Sequence, residues 1–378
     1  MIKRFERTLY MKKAIASIIL IFSVIMLFGC GAQKYSPVKS TAEESKVIYT
    51  LTLDGKRYDV KYELYRALFL NYKNQVDLGD DSVWNSSAKD EYAAEINEII
   101  LNKAAEIYSV LHLADKLGFN PYSSETEQKI NEYITISVDG NGIDVMGFDG
   151  DYDAYLAYLK ETNLNYAVQV LLLRYTLMLE EINEYYLGTE DQALGRLPGK
   201  YEFTEEDVKA YYDSDECVRV LQGFIQRDAV ENSYERAINL KSSIDNAENA
   251  LNAALAIINN TTATPTDLIV DGDVSGIVIG KNTVTYPIYN RYAETLFALE
   301  AGEVSDVIYI SGIDPGYYVV YKLEKSNAHF ISSYDAIKDS YLDDIIGAEL
   351  KVIGTSLSES VEYSGNFEAL SYADISMD

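Results

Sequence analysis

The chain has 378 residues, enough for two or three domains at roughly 150 residues each. Its 48% hydrophobic and 24% charged residues are ordinary for a globular protein. Acidic residues outnumber basic ones by 60 to 32, and the net charge of −28 argues against a nucleic-acid partner, because no basic surplus can replace the counterions of phosphates. The 2 histidines and 2 cysteines exclude a multi-histidine metal centre and a disulfide framework. We expect neither a metal site nor a cofactor.

The first thirty residues have the pattern of an export signal. A basic segment precedes a continuous apolar run over residues 14–28, which is too short for a comfortable membrane span. The run ends at Gly29 and Cys30, and this end resembles the lipobox of bacterial lipoproteins. The resemblance implies removal of residues 1–29 and acylation of Cys30, so that the mature protein is extracytoplasmic and lipid-anchored to the bacterial cell membrane. An uncleaved anchor helix is the alternative.

Residues 30–46 are polar and have no periodic pattern, which is typical of a flexible tether. Two acyl chains hold a protein stably at a bilayer, whereas anionic headgroups repel an acidic body. We therefore expect a globular protein that stands off the membrane on a lipidated tether.

Residues 47–200 are predicted to form a mainly helical, chaperone-like domain. It opens with a hairpin signal around Asp54 and Gly55, flanked by alternating apolar residues. Apolar residues at helical spacing then predict a long helix over residues 89–117 and another over residues 165–186.

A linking helix is predicted over residues 201–215, because Thr204 and Asp207 have the spacing of a capping pair. Residues 216–330 then have the pattern of a small α+β domain. Its predicted elements are a strand at 217–226, one long helix at 232–258, a helix at 289–299, and strands at 304–310 and 317–323.

Residues 332–358 form a last amphipathic helix whose apolar stripe has no local partner. We predict that residues 331–378 pack on the N-terminal domain. The fold class is therefore expected to be α+β, with a mainly helical domain completed by the C-terminal helix and a small domain inserted between its parts.

Two segments resemble the parvulin class of peptidyl-prolyl isomerases. They are residues 299–305, Leu-Glu-Ala-Gly-Glu-Val-Ser, and residues 316–323, Gly-Tyr-Tyr-Val-Val-Tyr-Lys-Leu. Together with the lipobox and the surrounding helices, they make the whole chain resemble a secreted foldase of the PrsA/SurA type, over roughly residues 46–370.

The resemblance implies the position of a site. Gln222 and Tyr318 stand where the family has its two histidines, so these catalytic positions are expected to be degenerate. Phe297 matches the phenylalanine that lines the family's proline pocket, and Leu221 is expected to contact substrate with it. Glutamine and tyrosine still donate and accept hydrogen bonds, but with a different geometry.

Three hypotheses follow from these residues. The first is a lipid-anchored foldase-like chaperone that holds unfolded or proline-containing secreted polypeptides, with weak or absent isomerase activity. The second is an active parvulin-type isomerase, and the third is a non-catalytic surface binding or assembly lipoprotein. The 33 tyrosines suit adaptable contact with unfolded chains, or they serve packing.

Overall fold

The computed structural model describes residues 34–77, 79–141, 147–191, 195–227, 232–261, 269–270, 273–283, 290–310 and 316–375. The described chain divides into two compact units. The middle unit consists of residues 184–348, and the front unit of residues 34–183 together with 349–375. Helices and small antiparallel sheets occur together, which confirms the α+β class. Cys30 and the rest of the export signal lie outside the described residues.

The front unit begins with the predicted hairpin. Strand β1 (Val47–Leu53) pairs antiparallel with β2 (Lys56–Lys61), and the turn residues Asp54 and Gly55 have φ of 51° and 76°. Both values lie in the left-handed region that a two-residue hairpin turn requires. The helices that follow are α1 (Tyr62–Asp77), α2 (Lys89–Lys116), α3 (Ser124–Asp139), α4 (Tyr152–Glu161) and α5 (Tyr166–Leu187).

Helix α2 supplies much of the front unit's core. Ile96, Ile100 and Leu111 are buried on its predicted stripe, and Gly118 takes φ of 94° just beyond the helix end. His112 is buried on the same helix, and its Nδ1 lies 2.9 Å from the hydroxyl of Tyr58. This histidine is therefore a satisfied core residue.

The segment from residue 34 to residue 46 contacts the front unit, which corrects the expectation of a free tether. The Ser40 hydroxyl donates a hydrogen bond to Glu63. The carboxylate of Glu44 accepts hydrogen bonds from Arg66 at 3.3 Å and from Asn165 at 3.0 Å. The polar side chains that suggested a flexible tether instead form hydrogen bonds with the rest of the front unit.

The middle unit contains a four-stranded antiparallel sheet whose strands lie in the order Ile277–Gly280, Cys217–Gln226, Gly316–Leu323 and Ile308–Ile310. Thr204 and Asp207 form the predicted capping box at the start of the helix Glu205–Asp213. The elements are β3 (Thr189–Asp191), β4 (Gly195–Leu197), α6 (Glu205–Asp213), β5 (Cys217–Gln226), α7 (Ser233–Asp245), α8 (Ala250–Asn260), β6 (Ile269–Val270), β7 (Asp273–Val274), β8 (Ile277–Gly280), α9 (Asn290–Ala298), β9 (Ile308–Ile310), β10 (Gly316–Leu323) and α10 (Asn327–Ser332).

The single long helix predicted at 232–258 is wrong, because the structure has two helices there, α7 and α8. The side chain of Asn249 accepts a hydrogen bond from the backbone N–H of Asn252 at 3.0 Å, which starts a new helix. Both helices pack on one face of the sheet, where Leu240 and Ile257 join its core. Helix α9 packs on the opposite face through Leu296.

The last long helix, α11 (Tyr334–Glu359), belongs to both units, since the division falls after Ala348. Ile337 near its start is fully buried with Val208 and Tyr212 in the middle unit. The prediction that this whole helix packs on the N-terminal domain is therefore wrong for its first half. The apolar stripe of this half packs against α6. Spacing in the sequence alone did not indicate that these two helices pack together.

The C-terminal segment beyond α11 joins the front unit. Strand β11 (Glu362–Tyr363) pairs with β1, with Tyr363 opposite Tyr49, and α12 (Gly365–Glu368) follows. Tyr372 stacks on Trp84 at 5.8 Å between ring centroids. No helix in the described part of the chain is both long and apolar enough to cross a membrane.

Candidate functional site

Gln222 and Tyr318 lie on the same face of the four-stranded sheet. In the register of β5 and β10, Tyr318 is opposite Phe224 and Val320 is opposite Gln222. Residues two apart on a strand point to the same face, so all four side chains share one side of the sheet. That side is the one covered by α9, because Val320 is buried in the same cluster as Leu296. The two positions are therefore brought together as diagonal neighbours.

Tyr292 of α9 joins these two residues. Its hydroxyl donates a hydrogen bond to Oε1 of Gln222, and its ring meets that of Tyr318 edge-on, with centroids 5.3 Å apart. Tyr292 is only 5% exposed. It lies one helical turn before Leu296, so the two side chains form the buried stripe of α9. Sequence reasoning missed Tyr292, although this i, i+4 spacing marked it as inward-facing.

Phe224 packs against Tyr318 near the end of the strand pair where β5 ends and β10 begins, and their ring centroids are 4.7 Å apart. The ring lies across Gly316, where a Cβ atom would be 2.2 Å from Cε2 of Phe224. No real side chain tolerates that distance, so Gly316 provides the space for the phenyl ring. The face thus consists of aromatic rings around one amide group.

Phe297 and Leu221 have different positions. Phe297 is half-buried and packs against the cluster that contains Tyr292 and Val320, so it borders the candidate site. Leu221 is fully buried on the other face, under α7 and α8. The expectation that Leu221 contacts a substrate is therefore wrong, because neighbouring residues of a strand point to opposite faces.

This arrangement can bind a peptide group but offers few groups for proton transfer. Gln222, Tyr292 and Tyr318 contribute an amide and two phenols, which donate and accept hydrogen bonds. Neither histidine is part of it, since His112 lies in the front unit and His329 packs beside Tyr212. Within the described residues, no group of three or more His, Cys, Asp or Glu side chains could hold a metal ion.

His329 has its own buried environment. Its Nδ1 lies 3.0 Å from the hydroxyl of Tyr212, and the residue is 6% exposed. Burial, with the nearby charge of Arg219, lowers the pKa of His329 from 6.5 to about 4. Arg219 itself is buried and donates to the backbone oxygens of Ser275 at 2.9 Å and Glu324 at 2.8 Å. This part of the middle unit is structural.

Comparisons with known proteins give distant structural matches. No protein-family profile matches the chain, and no curated protein sequence matches it. Among solved structures, it is similar to the foldase protein PrsA of Streptococcus pneumoniae, with 16% identity, 78% of this chain and 92% of that chain covered, and a TM-score of 0.29. PrsA of Bacillus subtilis has 16% identity, coverage of 84% and 93%, and a TM-score of 0.24. At these scores the likeness carries no argument, so any functional proposal depends on the site itself.

Proposed function

We propose that the protein is a lipid-anchored, extracytoplasmic, foldase-like chaperone that holds non-native secreted polypeptides and has weak or absent peptidyl-prolyl isomerase activity. The observation that carries the proposal is the sheet face that Gln222 and Tyr318 share, covered by Tyr292 of α9 and bordered by Phe297. Tyr318 belongs to residues 316–323, one of the two segments on which the parvulin resemblance depends. The lipid anchor would be Cys30.

Weak isomerase activity follows from how the polar groups are used. An isomerase stabilises a twisted prolyl amide with hydrogen-bond donors directed at it, in a site from which water is excluded. Here the Tyr292 hydroxyl already donates to Gln222, and Tyr292 is nearly completely buried. A bound peptide would have to displace that hydrogen bond before the Tyr292 hydroxyl could donate to it. The site therefore favours binding over catalysis.

Holding of unfolded chains needs shallow apolar surface, and the middle unit presents some. Tyr234 and Ile238 on α7 are 53% and 44% exposed, and Leu251 and Leu255 on α8 are 39% and 43% exposed. On each helix the two residues are four apart and so lie on one side. Exposed apolar side chains contact unfolded segments, while the net charge of −28 keeps the complex soluble.

The site is tested by binding and rate measurements with one fluorescent proline-containing peptide. We expect weak binding by anisotropy and a protease-coupled isomerisation rate close to that of buffer. Phe297→Ala should weaken binding, whereas Phe367→Ala, which removes a half-buried phenylalanine from the front unit, should not. Binding that is unaffected by Phe297→Ala would refute the proposed peptide-binding face.

An active isomerase is the second candidate, and one observation favours it. Three hydrogen-bonding side chains, those of Gln222, Tyr292 and Tyr318, meet at the floor of the face, where they could stabilise a twisted amide. A rate well above that of buffer, lost in Phe297→Ala and retained in Phe367→Ala, would establish this function instead.

A further inference from the structure

The first described residues dock on the front unit at one corner. The ammonium of Lys34 lies 2.6 Å from Oδ2 of Asp139, and the Tyr35 hydroxyl donates to the other oxygen of that carboxylate. The ring of Tyr35 stacks on Tyr152, with centroids 4.9 Å apart and planes at 25°. The Tyr152 hydroxyl donates to the backbone oxygen of Ser36 at 2.9 Å. These contacts join the chain to the end of α3 and the start of α4.

We propose that this docking holds one corner of the front unit against the membrane surface, and that the partner of this corner is the lipid bilayer. The corner, called here the α3–α4 corner, consists of Asp139 and residues 147–158. The proposal rests on lipidation of Cys30, as proposed above. Cys30 precedes Tyr35 by five residues, which can span roughly 17 Å at most. The backbone of Tyr35, whose side chain contacts the corner, therefore cannot lie farther than that from the acylated cysteine.

The docking contacts determine this distance. Without them, the next hydrogen bond to the front unit is that of Ser40 to Glu63, ten residues after Cys30. Ten residues span roughly 34 Å, so loss of the docking would double the permitted distance. The contacts of residues 34–36 thus convert a long tether into a short one.

The corner also carries side chains that suit a membrane interface. Phe148 packs between Tyr155 at 5.8 Å and Tyr158 at 5.5 Å, and Tyr152 continues this aromatic row at 6.1 Å from Tyr155. Tyr158 is 47% exposed. Tyrosine is enriched at membrane–water interfaces, because its ring is apolar and its hydroxyl is polar. Within this row Tyr155 is only 3% exposed and Phe148 and Tyr152 are half-buried, so the exposed ring of Tyr158 is the group that headgroups can accommodate.

Acidic groups on the corner determine which lipids it tolerates. Asp149, Asp151 and Asp153 are exposed, whereas Asp139 is paired with Lys34. Anionic headgroups repel the three exposed carboxylates. We therefore expect the corner to approach a zwitterionic surface more closely than an anionic one.

The experiment uses the lipidated full chain with a fluorophore on Ala157→Cys, an exposed position of α4. Cys217 is 1% exposed and burial raises its thiol pKa to about 11, so the dye spares it. The protein is reconstituted in phosphatidylcholine vesicles that contain phosphatidylcholine with a nitroxide-labelled headgroup. We expect strong quenching, reduced by at least about twofold in the triple variant Lys34→Ala/Tyr35→Ala/Tyr152→Phe, because this variant removes the contacts of Lys34, Tyr35 and Ser36 with the corner and the permitted distance then doubles. Lys39→Ala, which changes an exposed residue of the same segment, should leave quenching unchanged.

The outcomes separate the two proposals. If the wild-type chain does not bind the vesicles, or Cys30→Ala binds equally well, the lipid anchor is refuted and the docked corner with it. If the chain binds through Cys30 but the dye is not quenched, or the triple variant Lys34→Ala/Tyr35→Ala/Tyr152→Phe is quenched as strongly as wild type, the membrane-facing corner is refuted while lipidation stands. Stronger quenching when phosphatidylglycerol is added would refute the role of the three aspartates.

Discussion

Acidification should destabilise the middle unit through His329. In the folded chain burial, with the nearby charge of Arg219, lowers the pKa of this imidazole from 6.5 to about 4, so the side chain stays neutral while it stacks on Tyr212. In the unfolded chain the imidazole is no longer buried, and it binds a proton below about pH 6.5. As the pH falls from about 6.5 to about 4, the unfolded state therefore gains protons that the folded state excludes, and stability falls.

The magnitude follows from these two pKa values. At about pH 5, the unfolded imidazole is almost fully protonated and the folded one is almost fully neutral, a difference worth about 2 kcal/mol relative to about pH 7.5. His329→Asn retains an acceptor near the Tyr212 hydroxyl but has no such titration. Its free energy of unfolding should be lower than that of wild type at about pH 7.5 and should lose about 2 kcal/mol less on acidification.

The assay is urea unfolding of the mature chain, followed by far-UV circular dichroism at both pH values. Carboxylates titrate in wild type and variant alike, so the difference between the two pH changes isolates His329. An equal loss of stability in wild type and His329→Asn would refute the proposed neutral, buried imidazole.

Two further predictions concern the cores of the units. Leu221→Ala should destabilise the middle unit by about 2–5 kcal/mol, because it leaves a cavity under α7 and α8, while binding of a proline-containing peptide to the folded variant is unchanged. Tyr372→Ala should shift the fluorescence of Trp84, the 1 tryptophan of the chain, to longer wavelength, because it uncovers an indole that is 2% exposed.

The controls for these two variants are in the same units. Leu251→Ala removes a 39%-exposed leucine from α8 and should cost much less stability than Leu221→Ala; equal losses would contradict the assignment of Leu221 to the core. Tyr363→Ala removes a 49%-exposed tyrosine of β11 and should leave the Trp84 emission maximum unchanged. A shift as large as that in Tyr372→Ala would contradict the stacking.

Local signals in the sequence predicted those parts of the fold that short segments determine. Asp54 and Gly55 adopt the positive φ values that their hairpin needs, and Thr204 with Asp207 forms the expected capping box. The strand at Cys217–Gln226 has its predicted bounds. Each of these three features depends on residues that are close in sequence, so the local sequence is enough to predict it.

The errors concern contacts between distant segments. Ile337 finds its apolar partner in Val208 of the middle unit, and no periodicity identifies which surface an amphipathic helix covers. Tyr292 reaches Gln222 across the sheet face without any motif that links them. The wrong assignment of Leu221 to the substrate site was avoidable, because strand alternation already places its side chain on the opposite face of the sheet from Gln222.

The most direct test of the account is suppression of aggregation of an unfolded secreted polypeptide by the mature protein. At a stoichiometric ratio we expect clear suppression, reduced in the double variant Leu251→Ser/Leu255→Ser, which makes the exposed side of α8 polar. Val352→Ser, which changes a 67%-exposed valine of α11, should suppress aggregation as well as wild type. No suppression by wild type at this ratio would contradict the proposed chaperone function.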